Sequence, residues 1–164
     1  MFGRNPARPD PVPHSPDEWA DGEHGRFWGR YGAAGILIHN SRAEVMLQLR
    51  ADWCHHGGTW SIPGGARAYD ESAIQAAFRE AGEEHDLPSE RVRITGSHVL
   101  DFGYWSYVTF VGLITEEWDP RILTSEAVDV RWVSVEEVTG LMLHPGFRNT
   151  WPHVQDLVLR SGAQ

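Results

Sequence analysis

Residues 65–87, Gly65-Ala-Arg-Ala-Tyr-Asp-Glu71-Ser-Ala-Ile-Gln-Ala-Ala-Phe-Arg79-Glu80-Ala-Gly-Glu83-Glu84-His-Asp86-Leu87, hold the densest pattern in the chain. Ile74, Ala77, Phe78 and Ala81 recur at helical spacing and predict a helix over Glu71–Glu84 with one apolar stripe. Asp70 is the expected N-cap, Glu71 places negative charge in the first turn, and Pro88 closes the segment. Glu80, Glu83 and Glu84 lie three and four residues apart. At about 100° per residue they share one side of the helix, opposite much of the stripe. Like charges so spaced oppose an isolated helix. Two readings follow: a solvated acidic face, or an oxygen cluster suited to Mg²⁺ or Mn²⁺. Just before the helix, Pro63-Gly64-Gly65 allows close backbone approach to a bound group. It lacks the lysine and hydroxyl residue of a phosphate-binding P-loop.

Outward from this core, Ala33–His39 and Glu44–Arg50 are short apolar or alternating runs flanking Asn40-Ser41. They predict a hairpin or two neighbouring strands, with Val45, Leu47 and Leu49 on one face and Met46 and Gln48 on the other. Thr59–Ile62 predicts a short strand, and Arg91–Asp101 with Tyr104–Thr115 predict two strands joined near Gly103. Asp129–Val133 predicts another strand, Val135–Leu141 a brief helical turn, and Thr150–Leu159 a closing helix. Strands mixed with two helices, without simple alternation, imply an α/β sandwich around a mixed sheet. Residues 1–26 carry five prolines and read as an arm, flexible or packed on a body formed by 27–164. Trp19 and Trp28 are candidates to pin it.

The chain's 164 residues suit one domain. Fourteen basic residues, all arginine, face 23 acidic ones for a net charge of -9. The arginines form no basic stripe, which argues against nucleic acid as partner. Six acidic residues fall between 70 and 86, and such crowding calls for a cation. No apolar run is long enough to span a bilayer, and no apolar signal segment opens the chain. A single cysteine, Cys54, excludes an internal disulfide and fits a reducing compartment, with the cytoplasm the expected location. The histidines lack the spacing of a zinc protease, and nothing near Cys54 marks a nucleophilic triad.

Residues 65–87 resemble the Nudix box: a glycine, five residues, a glutamate, seven residues, then Arg-Glu-apolar-any-Glu-Glu-any-Gly-apolar. Gly65, Glu71, Arg79, Glu80, Ala81, Glu83, Glu84 and Leu87 fall in place. Asp86 departs, standing where the box has glycine. That position ends the helix in a left-handed conformation, which aspartate tolerates better than most residues. The resemblance implies a Nudix-like α/β/α sandwich and hydrolysis of a phosphoanhydride bond in a nucleoside diphosphate derivative, with Mg²⁺ or Mn²⁺. Carried over, Glu83 and Glu84 would be metal ligands, Glu80 a third ligand or the base, and the Gly64 carbonyl a further ligand. Arg79 would orient the carboxylates, and Glu71 and Gly65 would shape the junction. Glu126 is the candidate for a further acid from a loop, with Glu116 and Glu117 behind it.

For substrate contact the expectations are Arg67, Trp60, Tyr104 and His55, while Trp53, Trp105 and Tyr107 serve either stacking or core packing. The first reading of the substrate is a free nucleoside triphosphate, oxidised or not, cut to monophosphate and pyrophosphate. A dinucleoside polyphosphate, ADP-ribose or nucleotide sugar stands second, and a silent nucleotide-binding module forms a third class. Relatives of this kind are often dimers, so a homodimer is compatible, though no residue fixes its interface.

Overall fold

The computed structural model describes residues 18–161; most of the proline-rich segment lies outside them. Strands β1 (Trp19–Gly22) and β2 (Gly25–Trp28) form a separate hairpin. The main sheet contains β3 (Ala33–His39), β4 (Glu44–Arg50), β5 (Trp60–Ser61), β6 (Gly64–Ala66), β7 (Val92–Asp101), β8 (Ser106–Ile114) and β9 (Ala127–Ser134). Helix α1 (Ala73–His85) and helix α2 (Pro145–Ser161) flank it. The sheet is mixed: β3 runs parallel to β8 over seven registered pairs and antiparallel to β4 and β6. β9 runs antiparallel along β4, and β7 along β8.

Alternation along β3 and β4 creates two cores, one on each face of the sheet. Leu37, Val45 and Leu47 pack toward Phe147, Trp151, Val154 and Val158 of α2. Ile36, Ile38 and Met46 pack toward Ala76, Ala77 and Ala81 of α1. The result is the expected sandwich of a mixed sheet between two helices. Small alanines on α1 let this helix approach the sheet closely. No helix among the described residues is long and apolar enough to cross a membrane.

Several local readings are corrected. Helix α1 starts at Ala73, and its N-cap is Ser72 rather than Asp70. Ser72 Oγ accepts from Gln75 N–H at 3.2 Å while Gln75 Oε1 accepts from Ser72 N–H at 2.9 Å, a reciprocal capping box. Glu71 thus sits outside the helix, freed for another role. The buried stripe also rotates, with Ala76, Ala77 and Ala81 in the core and Ile74 only partly covered. The three glutamates are therefore not all opposite the stripe, since Glu84 is buried with it. The Gly64-Gly65 break is itself a short strand, β6, paired with Ala34 and Gly35. Helix α2 begins at Pro145, earlier than the expected Thr150, because proline suits a first helical turn that needs no N–H donor.

At the other end of α1, Asp86 adopts φ 60°, ψ 40°, and its N–H bonds Ala81 O and Gly82 O. The departure from glycine is absorbed in the left-handed cap the sequence predicts. The hairpin β1–β2 crosses the 26/27 boundary and is tied down by Tyr104 Oη donating to Gly25 O (2.8 Å) and by Phe27 stacking on Trp105 (4.3 Å). Trp19 and Trp28 meet each other edge-on at 5.0 Å, and both remain about half exposed.

The two candidate caps can be told apart by substitution. Ser72→Ala should lower stability by about 1 kcal/mol, while Asp70→Ala should leave it within about 0.5 kcal/mol of the parent, both read by urea unfolding.

Candidate active site

The site is built where β6 meets the face of α1. Glu80 folds its carboxylate onto the backbone of Gly65; a Cβ there would lie 2.6 Å from the Glu80 carboxyl carbon. This contact is the physical reason for glycine at 65. Gly64 is required from the other side, since its Cβ would fall 2.6 Å from Tyr107 Oη and 2.7 Å from Ala34 O. Gly35, opposite Gly64 in the register, faces the same hydroxyl, and a Cβ added to it would fall 2.3 Å away.

Arg79 is the hub of the junction. Its Nε and Nη2 clamp both oxygens of Glu71 at 2.7 and 2.9 Å, and Nη2 also donates to Ala66 O at 3.1 Å. Nη1 turns to Glu80 at 3.0 Å and, more loosely, to Glu83 at 3.5 Å. Glu71 Oε1 in turn accepts the Ala68 N–H, so loop and helix are stapled through one bidentate pair. The Arg79 guanidinium holds the Glu71 carboxyl below the usual range. Arg67, expected at a phosphate, instead donates through Nε to Glu71 O and through its backbone to Gly32 O. It braces the loop.

The three glutamates differ sharply in environment. Glu83 is exposed. Glu80 is half-buried, and burial pushes its carboxyl upward against the opposing pull of Arg79. Glu84 is only 8% exposed, and its Oε2 has no hydrogen-bond partner. Burial first, then the adjacent Glu80 and Glu126 carboxylates, pushes Glu84 up to about 9. A carboxylate so placed binds either a proton or a cation. That orphaned oxygen beside Glu80 fits a divalent ion chemically. Among the described residues, no three acidic, histidine or cysteine side chains are yet gathered closely enough to hold one. Glu83 would have to leave Arg79 to join.

Two backbone bonds explain how Glu126 arrives here. Leu123 N–H donates to Glu84 O and Arg121 N–H to His85 O, so the 121–126 segment is fastened to the end of α1. Buried His85 adds Nδ1 to Arg121 O at 2.5 Å and Nε2 to Gln48 Oε1 at 2.5 Å. Glu126 O accepts from Ala51 N–H at the end of β4. Glu116 and Glu117 lie elsewhere, with Glu116 paired to Arg91 at 3.2 Å. Both line a separate depression with Asn40 and Trp118.

Among the aromatic candidates, Trp60 is 9% exposed in the α2-side core, with Arg131 stacked over its ring at 5.3 Å. Tyr104 is engaged by the hairpin. Trp53 is exposed, and Trp105 is buried beneath Phe27. Sequence reasoning did not single out Arg50 and Gln48 as polar residues of this region. Alternation from Met46, which faces α1, was the available signal, since positions 48 and 50 share its face.

The proton affinity of Glu84 has a measurable consequence without divalent ions. A carboxyl that holds its proton more tightly folded than unfolded contributes stability in full below its ordinary pKa of 4.5. That contribution is lost as pH rises through about 9. Melting temperature in chelator should therefore fall between pH 5 and 9, and Glu84→Gln should flatten the decline.

The NUDIX domain family model matches residues 29–157. "Putative 8-oxo-dGTP diphosphatase 3" of Mycobacterium tuberculosis (strain H37Rv) is 39% identical over 92% of this chain and 74% of its own length. A nucleoside triphosphate pyrophosphatase/Nudix hydrolase fusion protein of Bifidobacterium longum is 36% identical over 85% of this chain and 31% of the fusion. The crystal structure of RenU, a Nudix hydrolase from M. smegmatis, superposes with a TM-score of 0.80 at 37% identity, covering 88% of this chain and 96% of that one. With the domain match spanning the box, the sheet and most of α2, the chain belongs to the Nudix family of hydrolases.

Proposed function

We propose that this nucleotide pyrophosphohydrolase takes a free nucleoside triphosphate, with 8-oxo-dGTP as first candidate, and releases the monophosphate and pyrophosphate. The observation that carries the reading is the Glu84 carboxyl, buried, unpartnered on Oε2 and set four residues from Glu80. Such a pair tolerates its burial only with a proton or a cation, and a polyphosphate brings cations with it. The name of the Mycobacterium tuberculosis relative supports the choice of nucleotide.

Glu80, Glu84 and Glu126 would hold Mg²⁺ or Mn²⁺, with Glu83 and the Gly64 carbonyl completing the set. The ion's contribution when bound is to neutralise phosphate oxygens and acidify water. The remaining work falls to the chain. Arg79 fixes the Glu80 carboxylate at 3.0 Å, and the Glu71 clamp fixes Arg79, so the general-base candidate is held on a rigid helix. Burial raises Glu80's proton affinity, which suits a group that must take a proton from water as the P–O–P bond breaks. Tyr104, one of the residues expected at the substrate, donates its hydroxyl to Gly25 O.

With Mg²⁺ or Mn²⁺ present, mass analysis should find 8-oxo-dGMP and pyrophosphate from 8-oxo-dGTP, with no orthophosphate. Glu83→Gln, at an exposed position, should keep the melting temperature yet lower kcat by more than about 100-fold. Full turnover in that variant would remove Glu83 from the site, and silence on every nucleoside triphosphate would overturn the substrate class.

A further inference from the structure

Residues 115–126, between β8 and β9, form no helix or strand, yet they carry Glu126 to the end of β4. A segment without a ladder of its own is placed by the bonds its neighbours give it. At its far end Glu126 O accepts from Ala51 N–H at 2.8 Å, just after β4. Nearer its middle, Arg121 N–H donates to His85 O at 3.2 Å and Leu123 N–H to Glu84 O at 3.0 Å. Arg121 also pairs with Asp86 at 3.6 Å, on the surface. These bonds fasten the segment to the last turn of α1 and to the residue that follows β4.

The His85 ring adds a link from α1 to β4 itself. It is wholly buried, with Nδ1 2.5 Å from Arg121 O and Nε2 2.5 Å from Gln48 Oε1. Gln48 is buried too, and its own orientation is fixed: Nε2 donates to Ile62 O at 3.2 Å and to Ser61 Oγ at 3.4 Å. Gln48 shares the α1 face of β4 with Met46, which brings its amide to the end of the helix. One imidazole thus joins α1, the 121–126 segment, β4 and, through Gln48, the two residues that precede Pro63 and the glycine strand.

Burying an imidazole and an amide costs stability against an apolar pair unless their polar atoms find partners. Here both ring nitrogens and both amide atoms are engaged. The Nudix box leaves position 85 open, so this link is a feature of this chain and not of the box. We propose that His85, gripped by Gln48, is a positioning residue that holds the 121–126 segment where Glu126 reaches the ion at Glu80 and Glu84. This rests on the ligand set proposed above. The segment is then fixed to one strand end at two places, at Gln48 through the ring and at Ala51 through the backbone. Wholly buried, the ring meets neither ion nor substrate, and its effect runs through Glu126.

The test joins amide hydrogen exchange in chelator to calorimetric titration of Mn²⁺, on the whole chain. His85→Phe keeps a ring in place and removes both contacts. It should speed exchange at the Arg121 and Leu123 amides while β3 keeps the parent rate, and weaken Mn²⁺ binding about tenfold. Glu126→Gln should weaken Mn²⁺ at least as much, and the double variant should bind no more weakly than Glu126→Gln alone. His85→Gln, which retains a donor, should recover part of the affinity. Gln48→Met removes the ring's anchor at similar volume and decides the matter if His85→Phe does not fold. Parental Mn²⁺ affinity in the folded variants, or losses from His85→Phe and Glu126→Gln that simply add, would overturn the proposal. Unchanged exchange at 121 and 123 would sink the positioning role and leave Glu126 standing as a ligand. Parental Mn²⁺ affinity in Glu126→Gln would strike Glu126 from the ligand set, and the proposal with it.

Discussion

Two carboxyls four residues apart, pressed between a helix and a glycine strand, cannot both remain ionised without a counter-charge. Glu80 and Glu84 are in that position, and much of the surrounding structure serves to hold them there. Gly65 removes the Cβ that would collide with Glu80. Ala76, Ala77 and Ala81 draw α1 close enough to the sheet to bury Glu84. Arg79 offsets part of the charge on Glu80 but leaves Glu84 Oε2 without a partner. A stable core would favour an apolar residue at such a place. The buried acid is a cost in stability unless it holds a proton or a cation.

The arrangement also explains why the site has a cationic side. Arg50 at the end of β4 offsets part of the negative field at Glu84, and its Nε donates to His55 O in the loop that follows.

Much of this was legible in the sequence. The period of 3.6 located α1, the period of 2 assigned the faces of β4, and the fixed spacing from Gly65 to Leu87 identified the family. What was not legible depended on partners distant in sequence. Asp70 and Ser72 are both good caps, and only the reciprocal bond with Gln75 selects Ser72. Trp60 looked like a stacking ring because nothing local shows that Arg131 and the α2-side core cover it. Arg67 looked like a phosphate ligand because its bond to Glu71 O depends on where the Arg79 clamp places the loop. His144 read as part of a turn; its meeting with His56 is created by the pairing of Trp60 with residues 142–144.

If a proton and a divalent cation compete for the Glu80–Glu84 pair, binding the cation must expel the proton. Calorimetric titration of Mn²⁺ at pH 7, repeated in buffers of different ionisation enthalpy, counts the protons released. Release of about one proton per site is expected from the parent protein, and markedly less from Glu84→Gln. Tight Mn²⁺ binding with no proton release would refute the competition, showing that the buried carboxyl was never protonated or never a ligand.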